Sequence, residues 1–291
     1  MHQTSPTPNE SIVSAPAPIA APGARTAMAR TRTTLASALG AAPALAIVAI
    51  IVAAWQVYAD VGDLGSDVLP SPIRVVTQGW LDRANLWDNT LPTLRETLFG
   101  FAVSVIVGFA LSVLIDNSKT LRRALMPVLI VTQTLPLIVI APLVVLWFGF
   151  GTAPKIMLVA FVTFFPITVS FVEGYAATER DSEILLRSMG AGRWRVFRTL
   201  RIPTSLPFFF AGLRIAITYA VVAAIFAEYA GAVSGLGIYM QNAKNSFRID
   251  LVLAAVGVSA ALTLVLFGLT YALERLLIPW ARRARIAQAQ P

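Results

Sequence analysis

Residues 251–273 read LVLAAVGVSAALTLVLFGLTYAL, a run of 23 residues without a charged side chain. About 20 apolar residues in an α-helix are enough to cross the hydrocarbon core of a bilayer. A run of this length therefore predicts a membrane-spanning helix rather than a buried helix of a soluble domain.

Five more uncharged runs precede this one along the chain. The 291 residues are 57% hydrophobic and 13% charged, whereas about 25% of the residues in ordinary soluble domains are charged. We therefore predict an all-α, polytopic membrane protein with six transmembrane helices. The predicted spans are residues 39–58, 97–115, 124–154, 156–172, 215–227 (extended back to 208) and 251–273.

The distribution of basic residues predicts the orientation of these spans. Of 23 Lys and Arg residues, sixteen fall in the two tails and in the loops after spans 2 and 4, and four fall in the opposite loops. Because cytoplasmic loops are enriched in Lys and Arg, we expect both termini in the cytoplasm. The predicted parts are a disordered tail (1–38), a transmembrane domain (39–275) with a cytoplasmic loop (174–207), a short helix on the outer face (74–84) and a basic tail (276–291).

Several classes of function are excluded by what the sequence lacks. There is no Cys, and His2 in the tail is the single His, so neither a metal site nor a catalytic triad can be assembled around these residues. No Gly-x-x-x-x-Gly-Lys-Ser/Thr motif is present to cradle ATP phosphates. The net charge of +8 is divided among several segments, whereas a nucleic-acid binder concentrates its charge in one patch.

The loop at 174–207 has the pattern of a short amphipathic helix followed by a second segment. Asp181 or Ser182 is expected to cap the helix, and Gly190 to end it in a left-handed conformation. An isolated helix of two turns is marginal in water, so its apolar face packs either on its own spans or on a cytoplasmic partner. The residues of that face are Ile184, Leu185, Leu186 and Met189.

The second segment of this loop is predicted at Trp194–Leu200, and we expect Pro203 and Pro207 to end it. Arginines are frequent throughout. Either they pair with acidic residues of a partner protein or they face solvent and lipid headgroups. These two alternatives apply to Arg187, Arg193 and Arg195.

Prolines and polar side chains interrupt the third predicted span. Proline kinks a helix, so this span is either a bent packing helix or one that lines a pathway. Thr132, Gln133 and Thr134 lie beside Pro136 and either face the pathway or form interhelical hydrogen bonds. Glu228 is an acidic residue near the end of the fifth span; it is either a pathway residue or a structural residue just outside the bilayer.

Short motifs along most of the chain match one family. The upstream motifs are Leu69-Pro70-Ser71-Pro72, Thr93-Leu94, Gly100-Phe101, Pro142-Leu143, Trp147-Phe148-Gly149-Phe150-Gly151 and Phe165-Pro166-Ile167. The downstream motifs are Gly190-Ala191, Arg193-Trp194, Phe197, Arg201-Ile202-Pro203, Leu206-Pro207, Ala211-Gly212-Leu213-Arg214-Ile215, Glu228 and Gly235-Leu236-Gly237.

Over residues 45–280 the chain resembles the permease subunits of ABC importers, in the branch that handles nitrate, sulfonates and taurine. One difference is that the Glu-Ala-Ala motif of the family falls on Ile184, Leu185 and Leu186, with Glu183 one place from the usual acidic position. This variant resembles the subgroup of riboflavin and pyrimidine-precursor (thiamine pathway) importers.

The resemblance implies a type I importer permease in the inner membrane of a bacterium, moving a small solute by alternating access. It implies a permease homodimer, two ATPase subunits that bind ATP and Mg, and an extracytoplasmic solute-binding protein. The alternative is a secondary carrier or channel without an ATPase partner, although such carriers need charged or polar coupling groups near the midplane. The resemblance assigns ATPase coupling to Glu183, Leu185, Leu186, Arg187, Gly190, Ala191, Arg193, Trp194, Phe197, Pro203 and Pro207.

Overall fold

The structure, a computed structural model, describes residues 46–62 and 68–280, together with Pro43 and Gly65. The tail predicted over 1–38 and most of the tail predicted over 276–291 lie outside the described residues. The chain divides into two units after Val57, and everything from α2 onward belongs to the second unit.

The described residues are helical and contain no β-strand. The helices are α1 (Ala46–Val61), α2 (Pro72–Leu81), α3 (Arg83–Asn117), α4 (Lys119–Thr134), α5 (Leu137–Phe148), α6 (Thr152–Ala176), α7 (Arg180–Ser188), α8 (Arg193–Val196), a π-helical turn (Phe197–Arg201), α9 (Ile202–Tyr229), α10 (Leu236–Asn245) and α11 (Ile249–Leu277).

Four stretches of the described chain are long and apolar enough to cross a membrane. These are α3, α6, α11 and the helix Arg193–Tyr229, which includes α8, the π-helical turn and α9. α4 and α5 together form a fifth candidate, and α1 is apolar but shorter. The all-α membrane architecture is therefore confirmed, while the count of six spans and the orientation of the termini remain predictions.

The third predicted span is not one helix. α4 and α5 meet at an angle of 98°, and the run 124–154 is divided among α4, α5 and the first turn of α6. Of the four prolines in this run, Pro136 stands at the break, where it and Leu135 both take extended backbone angles. Leu135 follows the tendency of a residue before proline to leave the helical region, although Pro127 and Pro142 lie inside helices.

α3 packs closely on α6 through a stripe of small residues spaced four apart. Gly100, Ser104, Gly108 and Ser112 are all buried. A Cβ added at Gly100 would lie 2.5 Å from Val159 Cβ, and one at Gly108 would lie 2.9 Å from the Ile167 side chain. Small residues at this spacing let two helix backbones approach in a membrane.

The other face of α6 packs on α9 in the same way. A Cβ added at Gly174 would lie 2.6 Å from Ser205 Cα, and Gly212 lies against Ser170. α6 is therefore the central helix of the second unit, with α3 and α9 on either side.

α2 occupies residues 72–81 rather than the predicted 74–84. Ser71 caps it by accepting a bond from Arg74 N at 3.4 Å, and α3 begins only one residue after Asp82, so Ala84 belongs to α3. α2 ends before Asp82 because the backbone angles of Asp82 lie outside the helical range. α2 is tied to the bundle by Asp250, which accepts from both Arg74 and Arg248.

Candidate functional site

α7 begins earlier than predicted and ends as predicted. Glu179 occupies the N-cap position, and neither Asp181 nor Ser182 caps the helix. Instead the Ser182 hydroxyl donates to Glu179 Oε2 at 3.1 Å. Acidic residues in the first turn favour this start, because they complement the positive end of the helix dipole.

The end of α7 is a reversal centred on Gly190. Its φ of +84° is a conformation that glycine adopts at little cost. The Ala191 amide then donates back to the carbonyl of Leu186 at 3.0 Å, which closes the helix. The prediction that Gly190 ends this helix in a left-handed conformation is therefore confirmed.

The apolar face of α7 lies open. Ile184, Leu185 and Met189 are between 54% and 76% exposed, and Trp194 just beyond the reversal is 70% exposed. Leu186 is only partly buried. We call Ile184, Leu185, Met189 and Trp194 the docking face. An exposed group of large apolar side chains is typical of a protein interaction site.

The opposite side of α7 is held against the bundle by one arginine. Arg201, in the π-helical turn, donates to Glu183 Oε2 at 3.1 Å and also to Asp116 at the end of α3. Glu183 accepts a second bond, at 2.6 Å, from Arg187 on its own helix. The hydrogen bond from Arg201, assisted by that from Arg187, holds the pKa of Glu183 below its ordinary value.

The segment after the reversal is continuous with α9, contrary to the prediction that Pro203 and Pro207 end it. Ile202 N donates to Phe197 O, so the helix widens into a π-helical turn just before the first proline. Pro203 then lies in the first turn of α9 and Pro207 inside that helix. A π-helical turn and a proline can be accommodated together without ending a helix.

Aromatic contacts fix this segment on the bundle. Phe197 lies 5.5 Å from the ring of Tyr175 in α6 and 5.7 Å from that of Trp194, and Val196 is buried. Ala191 is half-buried beside the reversal. Arg193 and Arg195 are exposed and form no ion pair within the described ranges.

Two of the predicted pathway residues line a cavity of about 270 Å³ beside the break between α4 and α5. These are Thr132 and Gln133, which face Tyr219 and Phe226 of α9 across it. The other two at this position do not line it: the Thr134 hydroxyl bonds to the Val131 carbonyl, and Pro136 caps α5.

Glu228 lies elsewhere, fully buried at the end of α9. Its carboxylate accepts from Thr93 Oγ1 and from the Gly237 amide, each at 2.6 Å. It lies directly against Gly235, whose φ of +132° and missing Cβ make room for it. These bonds join α3, α9 and the start of α10.

A buried ion pair near Glu228 was not predicted. Lys155 Nζ lies 2.8 Å from Glu96 Oε1, and both side chains are almost fully buried. In the sequence, Lys155 separates the uncharged runs 124–154 and 156–172, and Glu96 directly precedes the run 97–115. By sequence alone, both residues are therefore expected at the ends of spans. α3 and α6 extend beyond those runs, which places the pair inside the bundle.

Comparison with known proteins identifies the class to which this architecture belongs. Residues 97–279 match the model of the binding-protein-dependent transport system inner membrane component family. The chain belongs to this family: it is a permease subunit of an ABC importer in the inner membrane, and a secondary carrier or channel is not favoured.

Individual relatives are also permease subunits of transport systems. The chain is 36% identical to the formylaminopyrimidine transport permease protein ThiX of Halalkalibacterium halodurans over 74% of its own length and 87% of that protein. It is 32% identical to the riboflavin transport system permease protein RibX of Chloroflexus aurantiacus, over 78% and 85%. It is 29% identical to the taurine transport system permease protein TauC of Escherichia coli, over 80% and 87%.

Solved structures share the fold. An amino acid ABC transporter crystallised with histidines superposes with a TM-score of 0.59 at 16% identity, covering 69% of this chain and 98% of that one. The methionine transporter MetNI in an inward-facing conformation gives 0.57 at 16% identity, covering 69% and 97%.

Proposed function

We propose that α7 is the element through which an ATPase subunit drives this permease. The observation that carries the proposal is the division of α7 into two sides. One side is clamped to the bundle by Arg201, and the other presents the docking face to the outside. The same helix can therefore receive a partner and pass its movement to the bundle.

The transmission is through α9. Because Arg193–Tyr229 is one helix, a displacement of α7 and the reversal at Gly190 turns α9 as a rigid body. α9 packs closely on α6, which packs on α3, so the central helices move together. A nearly complete switch between two states needs about 5.5 kcal/mol of differential binding, which ATP-driven closure of the ATPase pair would supply.

We infer that the chain itself contains no ATPase, that two ATPase copies serve a permease homodimer, and that ATP and Mg are bound by those partners. The absence of a phosphate-binding motif supports the first point, and the family match supports the partnership. The mass of the intact complex purified in mild detergent tests both copy numbers.

For the pathway we propose Thr132 and Gln133, because both line the cavity beside the bent α4–α5 pair. Thr134 and Pro136 would act by shaping the break. Glu228 fits a structural role better than a pathway role, since its buried carboxylate is bonded to Thr93 and Gly237 and so holds α10 in place.

For the solute we propose a small nitrogen heterocycle of the kind named for the riboflavin and formylaminopyrimidine relatives, with sulfonates as the second candidate because of the taurine relative. Ligand screening on the solute-binding protein that serves this permease tests the choice, since in such systems the binding protein largely determines specificity.

The test of the coupling proposal is co-purification with the neighbouring ATPase, followed by an assay of ATP hydrolysis. Leu185→Glu places a charge on the docking face, and Gly190→Pro blocks the reversal. Both changes are expected to lower the recovered ATPase and its stimulated activity at least about tenfold, the effect of losing about 1.4 kcal/mol of binding.

The matched control is Arg180→Glu, a change on the same helix at an exposed residue outside the docking face. It is expected to retain the partner. Full recovery of active ATPase with Leu185→Glu and Gly190→Pro would contradict the coupling role of α7, whatever solute the protein carries.

A further inference from the structure

A second apolar surface lies at the end of α3 opposite to Asp116. It is a groove of about 430 Å³ between α2, the first turns of α3 and α11. Its walls include Val76, Trp80, Trp87 and Leu253, and both tryptophans are largely exposed. We call it the tryptophan groove.

The groove is open because α2 and α11 touch at one end of it and not at the other. A Cβ added at Gly79 would lie 2.8 Å from Ala254 Cβ, so the helices are in contact there. One helical turn further along α11, a Cβ added at Gly257 would have no heavy atom within 4 Å. The depression at Gly257 is therefore not filled by the described part of the chain.

One cation stands among the groove-lining residues. Arg83 Cζ lies 5.2 Å from the Trp80 ring centroid, and Nη1 donates to the Trp80 carbonyl at 3.0 Å. Within the described ranges Arg83 has no carboxylate partner within 4 Å. Its other guanidinium N–H groups remain as donors of the kind that binds phosphate oxygens.

We propose that the tryptophan groove is a binding site for an anionic phospholipid of the bilayer. The acyl chain lies along the apolar walls over Gly257, and the phosphate group binds Arg83. Two observations favour a lipid over another protein segment: the charge of Arg83 complements a phosphate, and two tryptophans flank it as they do at membrane–water interfaces.

The test uses the full chain in phosphatidylcholine vesicles with a minor fraction of phosphatidylglycerol that carries a diazirine in its acyl chain. After illumination, mass spectrometry maps the labelled peptides. Label is expected on residues 76–87 and 253–261, and it should exceed that from a phosphatidylcholine probe of the same acyl structure.

Two pairs of variants make the test specific. Gly257→Leu fills the groove and should reduce its label to the level of a non-specific lipid contact. Gly268→Leu is the same change on the same helix at another position with no heavy atom within 4 Å, and it should leave the label unchanged. Arg83→Gln should lower labelling about fivefold, the effect of one basic residue on anionic lipid binding, and Arg83→Lys should lower it less.

Equal labelling by the two lipid probes, or labelling that neither Gly257→Leu nor Arg83→Gln reduces, would overturn the proposal. Absence of lipid label from residues 76–87 and 253–261, as expected if another protein segment filled the groove, would do so as well. If Gly257→Leu fails to fold, the Arg83 variants carry the test, because they alter an exposed end of a side chain and leave the packing of α2 on α11 intact.

Discussion

Arg201 joins the α7 loop to the end of α3 through ion pairs with Glu183 and Asp116. Replacing it by Gln removes its ion pairs with Glu183 and Asp116. We expect a loss of about 1–2 kcal/mol in the free energy of unfolding, since both pairs are partly exposed, and a larger loss of stimulated ATP hydrolysis. Thermal unfolding in detergent and the ATPase assay measure the two effects.

The control for this prediction is Arg198→Gln. Arg198 lies in the same π-helical turn, is exposed, and has no ion pair in the described part of the chain. It should behave as the unchanged protein does. Equal effects of the two substitutions would mean that the turn, and not the Arg201 contacts, matters.

The buried pair Glu96–Lys155 makes a different prediction, since removing one partner leaves an uncompensated charge inside the bundle. Glu96→Gln and Lys155→Met should each lower the free energy of unfolding by about 3–5 kcal/mol. The double variant should be more stable than the sum of the two losses implies. A double-mutant cycle on thermal unfolding measures the coupling, and strictly additive losses would contradict it.

At the scale of helices, the packing around two glycines, Gly100 in the α3 stripe and Gly268 in α11, predicts opposite effects of substitution. Gly100→Ala should destabilise the protein by about 1–3 kcal/mol, because the new Cβ would lie 2.5 Å from Val159 Cβ. Gly268→Ala meets no atom within 4 Å and should be neutral or stabilising through its better helix propensity. Unfolding midpoints in one detergent distinguish these outcomes.

The helices differ in how far the sequence predicts them. Length and composition are sufficient for α3, α6 and α11, because a long uncharged run has few alternatives. α9 required extending a shorter uncharged run back past Arg214. The sequence does not localise the break between α4 and α5, because four prolines lie in the run and the break occurs at Pro136. The choice depends on packing that local preference does not encode.

For the candidate site, too, the sequence predicts local features and misses contacts that depend on packing. The left-handed reversal at Gly190 follows from a local preference and was predicted. The sequence does not predict the ion pairs Arg201–Asp116 and Glu96–Lys155, because the partners are 85 and 59 residues apart along the chain. The stripe from Gly100 to Ser112 does carry a readable signal, small residues every fourth position, that composition and charge patterning leave unused.

At the scale of the whole molecule, the predicted topology can be tested directly because the chain contains no cysteine. Ser188→Cys in α7 and Ser246→Cys after α10 each introduce one exposed thiol. If both termini are cytoplasmic, a membrane-impermeant maleimide should label Cys at 246 in intact cells, and Cys at 188 only in inverted vesicles. Labelling of both from the same side would contradict the six-span arrangement.

The two-sided construction of α7 also bears on how such importers diversify. Glu183 and Arg201 form an ion pair that holds α7 on the bundle, whereas the side chains of Ile184, Leu185 and Met189 are exposed and form none of these ion pairs. If α7 receives the ATPase subunit as we propose, substitution of those three side chains would change the partner without altering the ion pairs that hold the helix. A permease of this design would then acquire a new ATPase through changes confined to one short helix.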